Sequence, residues 1–456
     1  MLMTQYSATV TPPLAYDRTD CLGKSFGRLL TIILILAFLV RVAYSLGVSR
    51  GVLHIQPELE NNDGYHLIAQ TLFEGHGYRF SPDKPLTLQR APAYPAFLLA
   101  IFSVAGVNYV WVQIAQAALG SLSCWLLFLL GRWVLSTELG LTAAAMYAFY
   151  PNSILYSARL YSENLYFPLF LAFAYLLCRA SFEGSVRRGF AVGVAWGAGL
   201  LTRGTLLPLL FVLPLGIVLS RTHRQPVSRW LRWATPALLG GMLVLAPWTI
   251  RNYSLTGHFV PVSSWSWGPM YQGMQVAKQA NEWRDLSQVD MDAGLYIREL
   301  TAQQLGRTEG SIFLSSNDEI SYDQVAHDLT LKEWAANPLA LIKRALRGLF
   351  YTWFFAFGTG MRLASLAIHL PILALFVTGA VQMSRHHGSA FIRAWPALGL
   401  IIFVNVFYAF AFPHVRYMTP AIALSFIFAA LPVFTLVKWW RRPDAKAPNA
   451  HQITAA

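Results

Sequence analysis

The chain has 456 residues, 55% of them hydrophobic and only 12% charged, with a mean hydropathy of +0.44. A water-soluble domain carries roughly twice that charged fraction, so a soluble globular protein is excluded. The net charge of +13 would suit nucleic acid if the cations formed one folded surface, but they fall in short clusters between apolar runs, and no nucleic-acid partner is expected.

Those runs approach the ~20 residues needed to cross a bilayer. They predict an all-α polytopic membrane protein of about ten transmembrane helices, at 29–48, 109–131, 139–156, 161–178, 189–202, 205–220, 233–250, 361–383, 394–412 and 417–437. With both termini inside, the inner loops collect basic clusters such as Arg179, Arg187 and Arg188, or Lys438, Arg441 and Arg442. They hold only five of the 22 carboxylates, Asp17, Asp20, Glu138, Glu183 and Asp444. That asymmetry is the positive-inside bias, and it accounts for most of the basic excess. The implied division is a cytoplasmic tail 1–28, a transmembrane module 29–250 with a first outer loop 49–108, a second outer segment 251–360, C-terminal helices 361–440 and a tail 441–456. Cys21, Cys124 and Cys178 have neither metal nor redox spacing.

The first span carries Arg41 in its outer half, either snorkelling to headgroups or facing a site. It has no small-residue cleavage site after it and reads as a retained anchor. The first outer loop follows, with five carboxylates: Glu58, Glu60, Asp63, Glu74 and Asp83. Asn61, Asn62 and Asp63 are helix N-cap types, and Tyr65, Ile68 and Leu72 recur at helical spacing, predicting a helix over 63–74 with Asp63 at its mouth. A second short helix over 92–105 is expected at the interface rather than across it. The outer corners are Tyr150 to Glu163, Leu201 to Gly204 and Phe412 to Tyr417. The segment 251–360 is too long for a connection and predicts a small subdomain. It contains Trp265, Trp267 and Tyr271, which either stack on a sugar or belong to an interfacial aromatic belt, and it ends in an amphipathic stretch from Tyr322 to Phe350. No internal repeat is visible.

Several of these stretches share a family pattern. Asp63-Gly-Tyr followed by Leu-Ile-Ala, Gly-His-Gly-Tyr78 and Arg90-Ala-Pro-Ala-Tyr-Pro95 resemble the first loop of GT-C glycosyltransferases. The branch is that of the dolichyl-phosphate-mannose–protein mannosyltransferases, with bacterial relatives such as lipid A aminoarabinose transferases. Tyr161-Ser-Glu163, Leu-Thr-Arg203, Pro247-Trp-Thr-Ile-Arg-Asn252 and Arg416-Tyr417 extend the resemblance over most of 25–440. It implies transfer of a sugar from a polyprenyl-phosphate carrier to a hydroxyl acceptor (protein, lipid or polysaccharide), usually with inversion. The site would lie on the outer side, and the bacterial relatives imply a bacterial inner membrane. Gly64 stands where many relatives have a second acid and Ala93 where Gly is frequent; the first departure weakens a metal-binding reading.

That chemistry needs a base for the acceptor proton and cations for the phosphate. The resemblance makes Asp63 the base, against the simpler role of an N-cap. Glu163 is a second catalytic candidate in a supporting role, although a helix start alone favours an acid. Arg90 and Arg251 are expected to hold the donor phosphate with their planar forks, with Arg203 and Arg416 as further candidates; each could instead anchor to membrane lipid. Asp63, His66 and Glu163 could take a divalent metal, but no ligand spacing supports it, and His66 reads as a surface residue. No obligatory cofactor is expected. A transporter or flippase would also show ten spans, but its charges would sit at mid-membrane between related halves. Here the polar groups gather on one face and no repeat is visible, favouring an enzyme over that alternative; a non-catalytic subunit of a polysaccharide complex is distinguished by whether Asp63 matters.

Overall fold

The computed structural model describes residues 23–50, 63–210, 227–279, 286–308 and 312–440. Glu58, Glu60, Asn61, Asn62, residues 1–22 and 441–456 of the two tails and most of the expected span 205–220 lie outside the described residues. Within them are sixteen α-helices and no strand. The N-terminal helices are α1 (Lys24–Ser49), α2 (Tyr65–Phe73), α3 (Ala93–Ala105), α4 (Tyr109–Val134), α5 (Thr137–Ala148), α6 (Pro151–Ser157), α7 (Glu163–Glu183), α8 (Val186–Leu200) and α9 (Val227–Thr256). Then come α10 (Trp267–Lys278), α11 (Ser287–Leu305), α12 (Ser316–Ala336), α13 (Pro338–Phe354), α14 (Thr359–His386), α15 (Gly388–Phe410) and α16 (Val415–Trp440).

Seven of these, α1, α4, α7, α9, α14, α15 and α16, are long and apolar enough to cross a membrane. The chain is an integral membrane protein; among the described residues seven of the ten expected spans have that length and composition, and most of the expected span 205–220 lies outside them. The run 139–156 breaks at Pro151 into α5 and α6, because proline has no N–H to continue the ladder. The run 189–202 is α8, of 15 residues.

The break after α5 leaves carbonyls that must be satisfied internally in an apolar medium, and Arg41 does this. It is wholly buried and donates to the carbonyls of Tyr147 (3.2 Å) and Ala148 (3.1 Å) and to Ser153 Oγ (2.6 Å). Arg41 therefore neither snorkels nor faces the site; it staples α1 to the broken helix.

Close approach elsewhere depends on glycine. Gly189, Gly193 and Gly197 lie at four-residue intervals on α8 and meet the backbone of α9 around Trp233, Ala237 and Gly241, where a Cβ would collide. Helix α16 is the central rod, buried almost continuously from Val415 to Leu431. Its start carries Arg416 and Tyr417, so the innermost span opens directly at the polar end of the bundle.

The segment after α9 is a helical subdomain with its own core of Tyr271, Met274, Ile297, Tyr322, Val325 and Ala326. Tyr271 is buried there, and Trp265 stacks on Tyr322 at 4.7 Å, so these rings build the subdomain rather than a belt. The amphipathic stretch from Tyr322 is two helices, divided at Asn337–Pro338.

Candidate active site

Asp63 is the only non-glycine residue with positive φ among the described residues, at 50°, and Gly64 follows at 71°. Two successive left-handed residues turn the chain sharply before α2, and the helix is capped by Gly64 without a side-chain hydrogen bond. The N-cap expectation for Asp63 is thus corrected: its carboxylate points away from the helix start. Only glycine suits position 64, since a Cβ would stand 2.6 Å from the Phe80 ring as well as straining φ. The family's second acid has no room here.

The Asp63 carboxylate goes to Arg416 instead, with Oδ2 accepting from Nη2 at 2.5 Å. The same guanidinium grips Glu163: Nε donates to Oε1 and Nη2 to Oε2 at 3.1 Å. Glu163 Oε1 also meets Arg203 Nη1 at 2.7 Å. Arg90 joins from the first loop, its Nε donating to the Asp63 carbonyl at 2.6 Å. The structure thus brings together five of the six expected residues, Asp63, Glu163, Arg90, Arg203 and Arg416, from segments up to 353 residues apart.

The corner carrying Glu163 is set by buried amides. Gln116 on α4 donates to the carbonyls of Ser157 and Arg159 at 3.0 Å and accepts from Tyr94 at 2.6 Å. Asn164 donates to the carbonyls of Tyr156, Arg159 and Tyr161. Tyr161 then lies flat beneath Arg416, 3.8 Å from ring centre to guanidinium carbon, and Tyr417 lies 5.0 Å from that of Arg203. Such faces stabilise cations without neutralising them.

Burial pushes the Asp63 carboxyl upward, but the Arg416, Arg90 and Arg203 guanidiniums outweigh it and hold its pKa at about 2. Asp63 is ionised at neutral pH, as a base requires, yet so strongly paired that it would be a weak one. Burial, with Arg416 beside it, lowers His414 to about 3, so it is a neutral acceptor, taking the Arg416 backbone N–H at 3.0 Å.

Arg251 stands apart from the network. It donates to the Thr87 carbonyl at 2.9 Å and lies over Trp248 and Tyr78, and its Nη2 is buried without a partner. It reaches Arg90 through the Thr87–Arg90 segment and Tyr78, whose hydroxyl donates to the Arg90 carbonyl at 2.9 Å. His66 is buried, edge-on to Tyr109, rather than at the surface. Among the described residues no three His, Cys, Asp or Glu side chains gather as a metal set, and a guanidinium occupies the space between the two carboxylates.

One contributor escaped the sequence reading. Glu319 on α12 is buried and accepts from Thr87 Oγ1 (2.7 Å), the Leu88 N–H (2.7 Å) and Ser264 Oγ (3.1 Å). Burial raises its pKa, partly offset by those bonds and by Arg251. It clamps the strand of loop that ends in Arg90, and its only sequence signal is an acid in the first turn of a polar helix.

Residues 84–250 match the family model described as dolichyl-phosphate-mannose-protein mannosyltransferase. That stretch includes Arg90, Glu163 and Arg203 but not Asp63, Arg251 or Arg416. No curated protein matches the chain by sequence. Among solved structures, the apo oligosaccharyltransferase of Archaeoglobus fulgidus superposes with a TM-score of 0.56 at 13% identity, covering 91% of this chain and 51% of that one. The archaeal oligosaccharyltransferase AglB from the same organism, in complex with an inhibitory peptide and a dolichol-phosphate, gives 0.57 at 14% identity, with 90% and 51% covered. ArnT from Cupriavidus metallidurans in the apo state gives 0.43 at 14% identity, with 89% and 78% covered. The chain spans about half the length of the oligosaccharyltransferases. At this identity the likeness to the oligosaccharyltransferases is one of fold alone.

Proposed function

We propose that the protein is a membrane glycosyltransferase that moves a sugar from a polyprenyl-phosphate donor to a hydroxyl acceptor on the outer face of the membrane. The observation that carries this reading is the meeting of Asp63, displayed on a left-handed turn, with three arginines at one end of the bundle. An acid alone would suit many reactions. An acid beside guanidiniums with unspent donors suits one that builds charge on a phosphate as a proton leaves a hydroxyl.

In this reaction the acceptor oxygen attacks the anomeric carbon and its proton passes to Asp63. The bond from that carbon to the phosphate oxygen breaks, its electron pair leaves on the phosphate, and the configuration inverts. Arg90 is the first phosphate ligand, because no hydrogen bond engages its terminal nitrogens among the described residues, and Arg251 supports it from behind the same segment. Arg416 has its Nη1 similarly unspent while Glu163 holds the rest of its fork. A donor phosphate competes with Asp63 for Arg416, which raises the basicity of Asp63 only when donor is bound. Glu163 and Arg203 position Arg416 and do not touch substrate.

The test is to incubate purified protein with radiolabelled polyprenyl-phosphate sugars and a membrane extract. Label should appear in a hydroxyl-bearing acceptor, with free polyprenyl phosphate released. Transport of intact donor across a bilayer without release would overturn the reading.

A further inference from the structure

Helix α13 divides along its length into three sectors. Leu339, Ile342, Leu346, Leu349 and Phe350 fall within an arc of about 100° on a 3.6-residue helix, and they are 36% to 70% exposed. Lys343 and Arg347, one turn apart, form the adjoining sector; both are exposed, with no hydrogen bond or ion pair among the described residues. The opposite sector, Ala345, Gly348 and Thr352, is buried. A Cβ on Gly348 would stand 2.6 Å from the Ala409 carbonyl, and Thr352 lies 3.2 Å from Asn405, so this face is committed to α15.

A helix of 17 residues reaches about 25 Å, short for a crossing, and Lys343, Arg344 and Arg347 would tax the crossing further. Yet α13 ends at Phe354 and the span α14 begins at Thr359, which ties its C-terminus to the bilayer surface. The Phe355 carbonyl accepts the Val415 N–H at 2.9 Å, so the same end braces the corner preceding Arg416. A broad apolar arc flanked by unpaired cations, on a helix that ends where a span begins, is the pattern of a helix lying in the plane of a membrane interface.

We infer that α13 lies in the interface with its Leu339–Leu346–Phe350 face among acyl chains, and that Lys343 and Arg347 bind the phosphates of anionic phospholipids. The occupant of this face is the lipid leaflet. The apolar face is exposed along the helix, and the cation stripe beside it is complementary to an anionic headgroup layer. The inference is independent of the glycosyl-transfer reading.

The full-length protein, with Cys21, Cys124 and Cys178 changed to Ala, is spin-labelled at Leu346→Cys in bilayers containing phosphatidylglycerol and phosphatidylcholine. The label should relax with oxygen far more than with a polar nickel chelate, whereas a label at Met291→Cys on α11 should do the reverse. In native mass spectrometry, K343Q/R347Q should retain less phosphatidylglycerol relative to phosphatidylcholine, by roughly five-fold per cation removed, while K343R/R347K retains it. A water-exposed label at 346 would overturn the inference, as would unchanged phosphatidylglycerol retention in K343Q/R347Q. Disulfide-linked dimers of Leu346→Cys would name a second copy as the occupant. Shielding of the label by polyprenyl phosphate alone would name the donor chain.

Discussion

Helix α7 begins and ends with a glutamate held by two arginines, and the two ends differ in every respect but that. At its end, Glu183 meets Arg179 at 2.9 Å and also Arg188, with the three side chains 27% to 34% exposed. Both partners lie within five residues in sequence. At its start, Glu163 is 1% exposed and its partners, Arg203 and Arg416, come from α8's end and the start of α16. The first arrangement is a local pair in a high-dielectric setting, worth about 0–1 kcal/mol. The second ties three chain segments together where an uncompensated charge is costly. The same residue types in the same kind of pairing therefore carry opposite information: one decorates a helix, the other fixes a site.

Asp63→Asn should break the contrast most severely, because it removes the proton acceptor from the buried end and leaves Glu163 in place. Transfer should fall by about 10²–10⁴, measured with labelled donor, while the protein stays inserted and binds donor lipid. Activity within a few-fold of the parent would mean that Asp63 is not the base. The pH profile sharpens the same point. The carboxyl is depressed to about 2 from an ordinary value near 3.9, so the stability from its pairing is present above about pH 4 and lost as pH falls toward 2. The acid limb of kcat/KM, which reports free enzyme, should lie in that low range. The limb of kcat should lie higher if donor draws Arg416 away. Coincident limbs would show that Arg416 never leaves Asp63.

Glu163→Gln comes next. It leaves Arg203 without its acid and Arg416 with Asp63 alone, and should lower stability by about 3–5 kcal/mol, read from thermal unfolding in detergent, with a smaller loss of transfer than Asp63→Asn. The reverse ranking would make Glu163 the base. Arg90→Ala should cost about 1.5–3 kcal/mol of donor binding, seen as a raised KM for donor, with Arg90→Lys intermediate because it keeps charge but loses the fork. Normal donor use by Arg90→Ala would leave Arg90 only its hydrogen bond to the Asp63 backbone. Glu183→Gln should be the mildest, at most about 1 kcal/mol and fading in high salt. A loss comparable to that of Glu163→Gln would erase the distinction between the ends.

The arrangement was legible in proportion to how local its causes are. Apolar runs marked all seven long helices, and turn residues marked α2 and α3, because hydropathy and periodicity act within one segment. The motifs placed Asp63, Glu163, Arg90, Arg203 and Arg416 at helix ends on one side, where the structure joins them. The run 139–156 was misread as one span because hydropathy averages across Pro151.

Sequence alone determined that this chain is a bundle of membrane helices, and it put Asp63, Glu163, Arg90, Arg203 and Arg416 at helix ends on one side. Tertiary structure decided the pairing: that Arg416 takes both acids, that Arg41 serves the carbonyls of α5, that Arg251 stands back, and that Glu319 clamps the loop before Arg90. An ion pair or a buried carbonyl is satisfied by whichever group the packed helices bring within about 3 Å. That choice depends on glycine contacts, broken helices and a left-handed turn far along the chain, so no window of sequence contains it.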